Sequence, residues 1–165
     1  MIHSPKQRFR LLLAVVMQVV VLISTSPVTH AKPEWDQVAN IKAAAQNIGD
    51  IQKRGGADAA YKFIAACYKT HGLSSTYKQA FEGCIAQDYI QSRALALVYQ
   101  RVPADHLKSI GAPTVEVLIA SLQRRLGAAF AQYKIAPADG QAFLKIVEAQ
   151  GLPVFMKAVF PEQAR

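Results

Sequence analysis

The chain has 165 residues, 52% of them hydrophobic, and its 19 lysines and arginines outnumber its 11 acidic residues, for a formal net charge of +8. This length suits one domain with a core of its own, which needs neither a metal nor several disulfides to fold. The basic residues are dispersed, and Lys53 with Arg54 and Arg124 with Arg125 are the only adjacent pairs. That pattern excludes a basic arm for binding nucleic acid.

Residues 1–31 have the parts of a cleavable secretory signal peptide in their usual order. Three basic residues and no acidic one precede an apolar run over residues 11–23, and a polar segment then ends at Ala31. The thirteen residues of the run fall short of the ~20 that span a bilayer, which favours cleavage over the alternative of a retained membrane anchor. We therefore expect residues 32–165, with a net charge of about +5, to be an exported domain, periplasmic or secreted, without a stable membrane anchor.

Hydrophobic residues recur at intervals of three or four along nearly all of residues 32–165, whereas the alternation typical of strands is almost absent. The pattern predicts a first helix that ends at Gly55 and Gly56. A second helix follows, with Asp58 as its N-cap and Gly72 at its end.

The third predicted helix, residues 76–101, is apolar on two opposite faces. Thr76 and Gln79 have the spacing of a capping box at its start, and Pro103 follows its end. A helix with two apolar faces is usually covered by neighbours on both sides. We therefore place this helix at the centre of a helical bundle.

Three further helices are predicted to begin at prolines, because proline is favoured at the first helical position. The fourth begins at Pro113, the fifth at Pro137 and a short last one at Pro153. Gly151 is expected to end the fifth helix, and Pro161 the last. The predicted fold is all-α, a single small bundle of about five long helices with one or two short ones.

Cys67 and Cys84 are the two cysteines of the chain, and an exported domain folds in an oxidising compartment. We predict a disulfide between them, with two buried free thiols as the alternative. A zinc site is disfavoured, because the seventeen-residue separation lacks the close C-x-x-C pairing of zinc ligands. The cysteines lie on the second and third predicted helices, so the bridge would link a helix hairpin closed by residues 72–75.

Asp88 is the first candidate for chemistry, because it lies on an apolar face of the third helix, one turn after Cys84. A carboxylate is costly to bury unless it is paired or hydrogen-bonded. We expect a structural link, in which Asp88 accepts hydrogen bonds from an arginine or from a helix N-terminus. Two alternatives stay open, namely a catalytic acid or base in a cleft and a helix kink that leaves Asp88 in solvent.

Motifs for catalysis, metals and cofactors are missing from the sequence. It has no G-x-S-x-G, no H-E-x-x-H and no glycine-rich phosphate loop. Two histidines follow the predicted signal peptide, and His71 suits the end of a helix, where the dipole favours a cation. Asp105 and His106 are adjacent, which is poor geometry for a catalytic pair. We expect no metal and no cofactor, and we leave enzymatic activity undecided with a leaning against it.

The leading hypothesis is a non-enzymatic module that binds a protein partner or an apolar ligand in the cell envelope. It depends on an apolar segment near the C-terminus, whose exposure would form a partner-binding surface. The residues of that segment are Leu152, Phe155, Met156, Val159 and Phe160. The alternatives are a cell-envelope hydrolase with Asp88 as its acid or base, and a structural or stress-protective envelope protein. Nucleic acid is not an expected partner, and the oligomeric state is left open.

Overall fold

The computed structural model describes residues 33–161, which form six α-helices and one π-helical turn. In chain order they are α1 (Gln37–His71), α2 (Gln79–Tyr99), α3 (Ala104–Ser109), α4 (Val115–Gln132), α5 (Pro137–Ile146), the π-helical turn (Val147–Gly151) and α6 (Leu152–Val159). These residues include no strand, so the all-α prediction is confirmed. The signal peptide predicted for residues 1–31 lies outside the described residues. Among the described helices, none combines the length and the apolar character that crossing a membrane requires.

α1 consists of two helical halves that meet in a kink at Gly56, where the sequence predicted a break between two helices. Gly56 has φ 71° and ψ −173°, a backbone conformation that glycine adopts without the strain a Cβ would cause. At the start of α1, the side chain of Asp36 accepts a hydrogen bond from the backbone N–H of Ala39 at 3.0 Å. The two predicted helices are therefore the two halves of α1, with a bend between them.

α2 lies at the centre of the fold, and both of its predicted apolar faces are covered. Thirteen of its 21 residues are buried, and it packs against α1, α4, the π-helical turn and α6. Because every residue from Phe81 to Asp88 is buried, polar side chains lie inside the fold together with the apolar ones, and each of them needs partners. The buried polar residues are Glu82, Gln87, Asp88, Gln91 and Ser92.

The start of α2 differs from the predicted capping box. The helix begins at Gln79 after Lys78, which makes no capping hydrogen bond with its side chain, and Thr76 lies outside the helix. The ring of Tyr77 packs against that of Tyr133, with 5.5 Å between centroids. The backbone stays extended at Lys78, which lets the ring reach this position. Tertiary packing thus overrides the local capping pattern.

The C-terminal part runs as a continuous helical segment from α5 through the π-helical turn into α6, so the prediction that Gly151 ends a helix is wrong. The backbone N–H of Leu152 donates to the carbonyl of Val147, five residues earlier, as in other π-helical turns. A Cβ at Gly151 would lie 2.7 Å from Cδ1 of Ile90 and 3.0 Å from Cγ2 of Ile41. The glycine is therefore needed for the close approach of this turn to α2 and α1.

The predicted disulfide is present. Cys67, in the second half of α1, is bonded to Cys84 of α2, with 5.7 Å between their Cα atoms. The bond joins the two helices of the hairpin that turns after Gly72, which confirms the predicted disulfide-linked hairpin. Closing a loop of this length stabilises a domain by about 3 kcal/mol, because it restricts the unfolded chain.

Candidate functional site

A cavity of about 790 Å³ lies at one end of the bundle, between residues 33–37, the start of α2 and the corner where α4 meets α5. Sites for small molecules typically have volumes of about 300–1,000 Å³. Most of the wall consists of aromatic and aliphatic side chains, namely Trp35, Tyr77, Phe130, Ile135, Phe143 and Ile146. The exposed charged side chains of the lining are Glu34, Lys78 and Asp139.

The corner between α4 and α5 is shaped by local sequence. Lys134 adopts a positive φ of 54° just after α4, and Pro137 occupies the first turn of α5. Gly140 has no side chain where a Cβ would lie 2.9 Å from the ring of Phe130. That ring can therefore pack against α5 and form one wall of the cavity.

Glu82 is a fully buried residue at the inner wall of the cavity. Its Oε1 accepts hydrogen bonds from Nε1 of Trp35 at 2.8 Å and from Nδ2 of Asn40 at 3.0 Å. Its Oε2 accepts one from Nε2 of Gln37 at 2.8 Å. In these bonds both carboxyl oxygens of Glu82 act as acceptors. The bonds tie the segment before α1 to α2, which closes one side of the cavity.

Glu82 is not among the candidate residues predicted from the sequence, although the sequence contains a signal for its burial. Positions 82, 86, 90 and 94 are four apart, so Glu82 continues the stripe of Ala86, Ile90 and Ala94 on the second apolar face of α2. A carboxylate in such a stripe indicates a buried acid. The donors on Trp35 and Asn40 could not be inferred in this way, because they lie 47 and 42 residues earlier in the chain.

A group of aromatic rings connects the cavity to the core. Tyr77 lies between Trp35 and Tyr133, with centroid distances of 6.0 Å and 5.5 Å, and Phe81 lies 4.8 Å from Tyr133. Burial raises the pKa of the Tyr77 phenol, and the charge of Glu82 raises it further. The phenol therefore stays neutral at physiological pH, and the rings form a packed, mainly apolar wall.

Asp88, the residue that the sequence singled out, forms a buried ion pair with Arg125 of α4. Nε of Arg125 donates to Oδ2 at 2.8 Å and Nη2 donates to Oδ1 at 2.7 Å. The hydroxyls of Tyr68 and Ser92 donate to the same carboxylate at 3.2 Å and 3.3 Å. Hydrogen bonding to Asp88 raises the pKa of Arg125. These described partners include no histidine and no second carboxylate, so the geometry favours the structural link, and the catalytic role stays a prediction.

The apolar segment predicted to bind a partner packs on the protein's own core. Phe155 is 2% exposed, and the other four residues are half-buried, namely Leu152, Met156, Val159 and Phe160. α6 approaches α1 closely at Gly49, where a Cβ would lie 2.8 Å from Cβ of Ala158. The role of this segment in partner binding stays a prediction, and its packing in the core does not favour that role.

A second cavity, of about 610 Å³, opens beside the helix hairpin, and its charged lining residues are Lys69 and Arg125. Within residues 33–161, no three side chains of histidine, cysteine, aspartate or glutamate lie close enough together to hold a metal ion.

Comparisons with models of protein families, with curated proteins and with solved structures found no match. The function must therefore be inferred from the cavities and their side chains. The first cavity is the stronger candidate, because it is the larger of the two and has a buried carboxylate at its inner wall.

Proposed function

We propose that this protein is an exported binding module that holds a small, mostly apolar molecule in the cavity beside Glu82. The observation that carries the proposal is an opening of about 790 Å³ with rings and aliphatic chains on its walls. Burying apolar ligand surface against such walls contributes roughly 25 cal/mol per Å² of area removed from water.

The side chains around the cavity favour binding over catalysis. The described lining includes no histidine, cysteine or serine, so it offers no nucleophile with a histidine base. Glu82 accepts hydrogen bonds from neutral groups, which fix its position. Asp88 lies outside this lining and is engaged by Arg125. The arrangement suits a site that holds a molecule in place.

Export is part of the proposal, supported by the predicted signal peptide and by the bond between Cys67 and Cys84, since disulfides persist in oxidising compartments. Its test is the intact mass of the protein from the envelope fraction, with and without reduction before alkylation. We expect the mass of residues 32–165, with alkylation only after reduction. A full-length mass with two free thiols would contradict export.

Ligand binding can be tested with Trp35, because it is the single tryptophan of the chain and lines the cavity. Titration with decanol, a neutral apolar probe, is expected to change the Trp35 fluorescence in a saturable way. Ala142→Phe adds a ring to the lining and should weaken binding about tenfold or more, since losing burial of two methylene groups already has that effect.

Ala120→Phe is the matched control, because Ala120 is exposed on α4 and lies outside the cavity lining. It should bind decanol as the unaltered protein does, with an unchanged far-UV circular dichroism spectrum. If decanol causes no saturable change, or if the two variants bind it equally well, the cavity is not the ligand site.

A further inference from the structure

The charge at the cavity is opposite in sign to that of the chain. The whole chain has a formal net charge of +8. The cavity lining nevertheless contains three carboxyl groups, those of Glu34, Glu82 and Asp139, and a single ammonium group, that of Lys78. A cleft with charges of one sign and walls of low dielectric concentrates ligands of the opposite sign.

Glu82 differs from Asp88 and Glu148 in the cations around it. Asp88 is paired with Arg125 at 2.7 Å, and Glu148 is paired with Arg93 at 3.2 Å. The hydrogen-bond donors described for Glu82 are one indole, two amides and the phenol of Tyr77, and none of them is a cation. A buried charge without a counter-ion is costly. A cation that enters the cavity would lower this cost.

Aromatic rings next to Glu82 provide a second feature that attracts cations. The rings of Trp35 and Tyr77 lie 6.0 Å apart between centroids, and Phe130 contributes a further ring to the lining. The face of an aromatic ring attracts ammonium groups, and tryptophan does so most strongly. The indole of Trp35 also donates a hydrogen bond to Glu82, so ring and carboxylate are held together.

We propose that the ligand of this cavity is an organic cation, an amine or quaternary ammonium group on an apolar body. This inference rests on the proposed function, because it names the chemical class of ligand for the same site. The cationic group lies against Trp35 and Tyr77, within the field of Glu82, and the apolar body contacts Phe143 and Ile146.

The test uses three probes with the same alkyl chain, each below its micelle concentration and titrated against Trp35 fluorescence. They are decyltrimethylammonium, decanol and decanoate. Two unit charges about 7 Å apart, at an effective dielectric constant of about 20, attract each other enough to change affinity more than tenfold. We therefore expect the cation to bind at least about tenfold more tightly than decanol, and decanoate to bind most weakly. Added salt should reduce the difference.

Glu82→Gln should remove most of the preference for the cation while decanol binding persists. Asp139→Asn is a second variant, to be used if Glu82→Gln does not fold. Its substitution should not disturb folding, because Asp139 is exposed in the lining. Asp139→Asn should lower the preference for the cation over decanol about threefold. Asp105→Asn, at an exposed position of α3, should leave that preference unchanged. A cation preference that Asp139→Asn leaves intact would contradict the inference.

The outcomes separate the inference from the proposed function. Equal binding of the cation and decanol, or tightest binding of decanoate, overturns the inference and leaves the cavity as a binding site. Failure of all three probes to bind overturns both.

Discussion

Replacing Arg125 with methionine removes the one cationic partner that the structure describes for Asp88. The substitution keeps an unbranched side chain and deletes both hydrogen bonds from the guanidinium to the carboxylate. Because Asp88 has no exposed surface, water cannot take the place of these donors without local rearrangement. The hydroxyls of Tyr68 and Ser92 would be the remaining donors.

The cost can be estimated from the burial of the two partners. Removing one partner of a buried ion pair typically costs about 3–5 kcal/mol. The side chain of Arg125 is 35% exposed and already interacts partly with water, so we expect the lower end, about 3 kcal/mol. Domains of this size are stable by about 5–15 kcal/mol in total. The loss should therefore lower Tm by roughly 10 °C.

Urea unfolding at neutral pH, followed by far-UV circular dichroism with the disulfide intact, measures this cost. Arg124→Met is the matched control, because it removes the same charge from an exposed neighbour on α4 and should change stability by less than about 0.5 kcal/mol. The double variant with Asp88→Asn should be about 2 kcal/mol more stable than the sum of the single effects implies. If Arg125→Met costs no more than Arg124→Met, the structural role of this ion pair is refuted.

Three further predictions concern the disulfide, two glycines and one carboxylate. Replacing Cys67 and Cys84 together with serine should lower the free energy of unfolding by about 3 kcal/mol in urea, and an unchanged value would show that the bond is dispensable. Gly151→Ala should cost about 1–3 kcal/mol, because its Cβ would lie 2.7 Å from a buried side chain of α2. Gly127→Ala in α4 should instead stabilise the protein by about 0.5–1 kcal/mol, because no neighbouring atom lies within 4 Å of the added Cβ. Thermal melts in which the two glycine variants show the opposite signs would contradict both predictions. Hydrogen bonds from a tyrosine and an arginine of α2 lower the pKa of Glu148. The stability that Glu148 contributes is therefore present at pH values above the ordinary carboxyl pKa. It is lost as the pH falls through the lowered pKa of Glu148. Glu148→Gln should therefore cost at most about 0.5 kcal/mol at neutral pH and nothing in acid, whereas a cost that does not vary with pH would refute the linkage.

Features that depend on near neighbours in the chain could be predicted. Helical periodicity identified the helices, because each helix shows its apolar stripe within a few turns. The paired Gly55 and Gly56 indicated the change of direction in α1, since a positive φ is a property of the residue itself. The bond between Cys67 and Cys84 followed from there being two cysteines in a chain expected to be exported.

Local patterns failed where tertiary packing competed with them. The capping box at Thr76 is not formed, because the ring of Tyr77 packs against that of Tyr133. Gly151 looked like a helix terminator, yet it lies inside a continuous helical segment, where it allows close contact with Ile90. Each of these residues can either mark the end of a helix or make a tertiary contact, and the neighbouring sequence does not distinguish the two roles.

Periodicity and residue type over short distances were enough to predict the helical class, the central position of α2, the change of direction at Gly56 and the disulfide. Which carboxylate meets a cation depends instead on how distant segments pack. Arg125 reaches Asp88 across 37 residues, whereas the donors that reach Glu82 from the segment before α1 and from its first turn are neutral. The cavity likewise forms where segments distant in sequence meet, so its volume, its rings and its excess of negative charge arise from packing and not from any single segment.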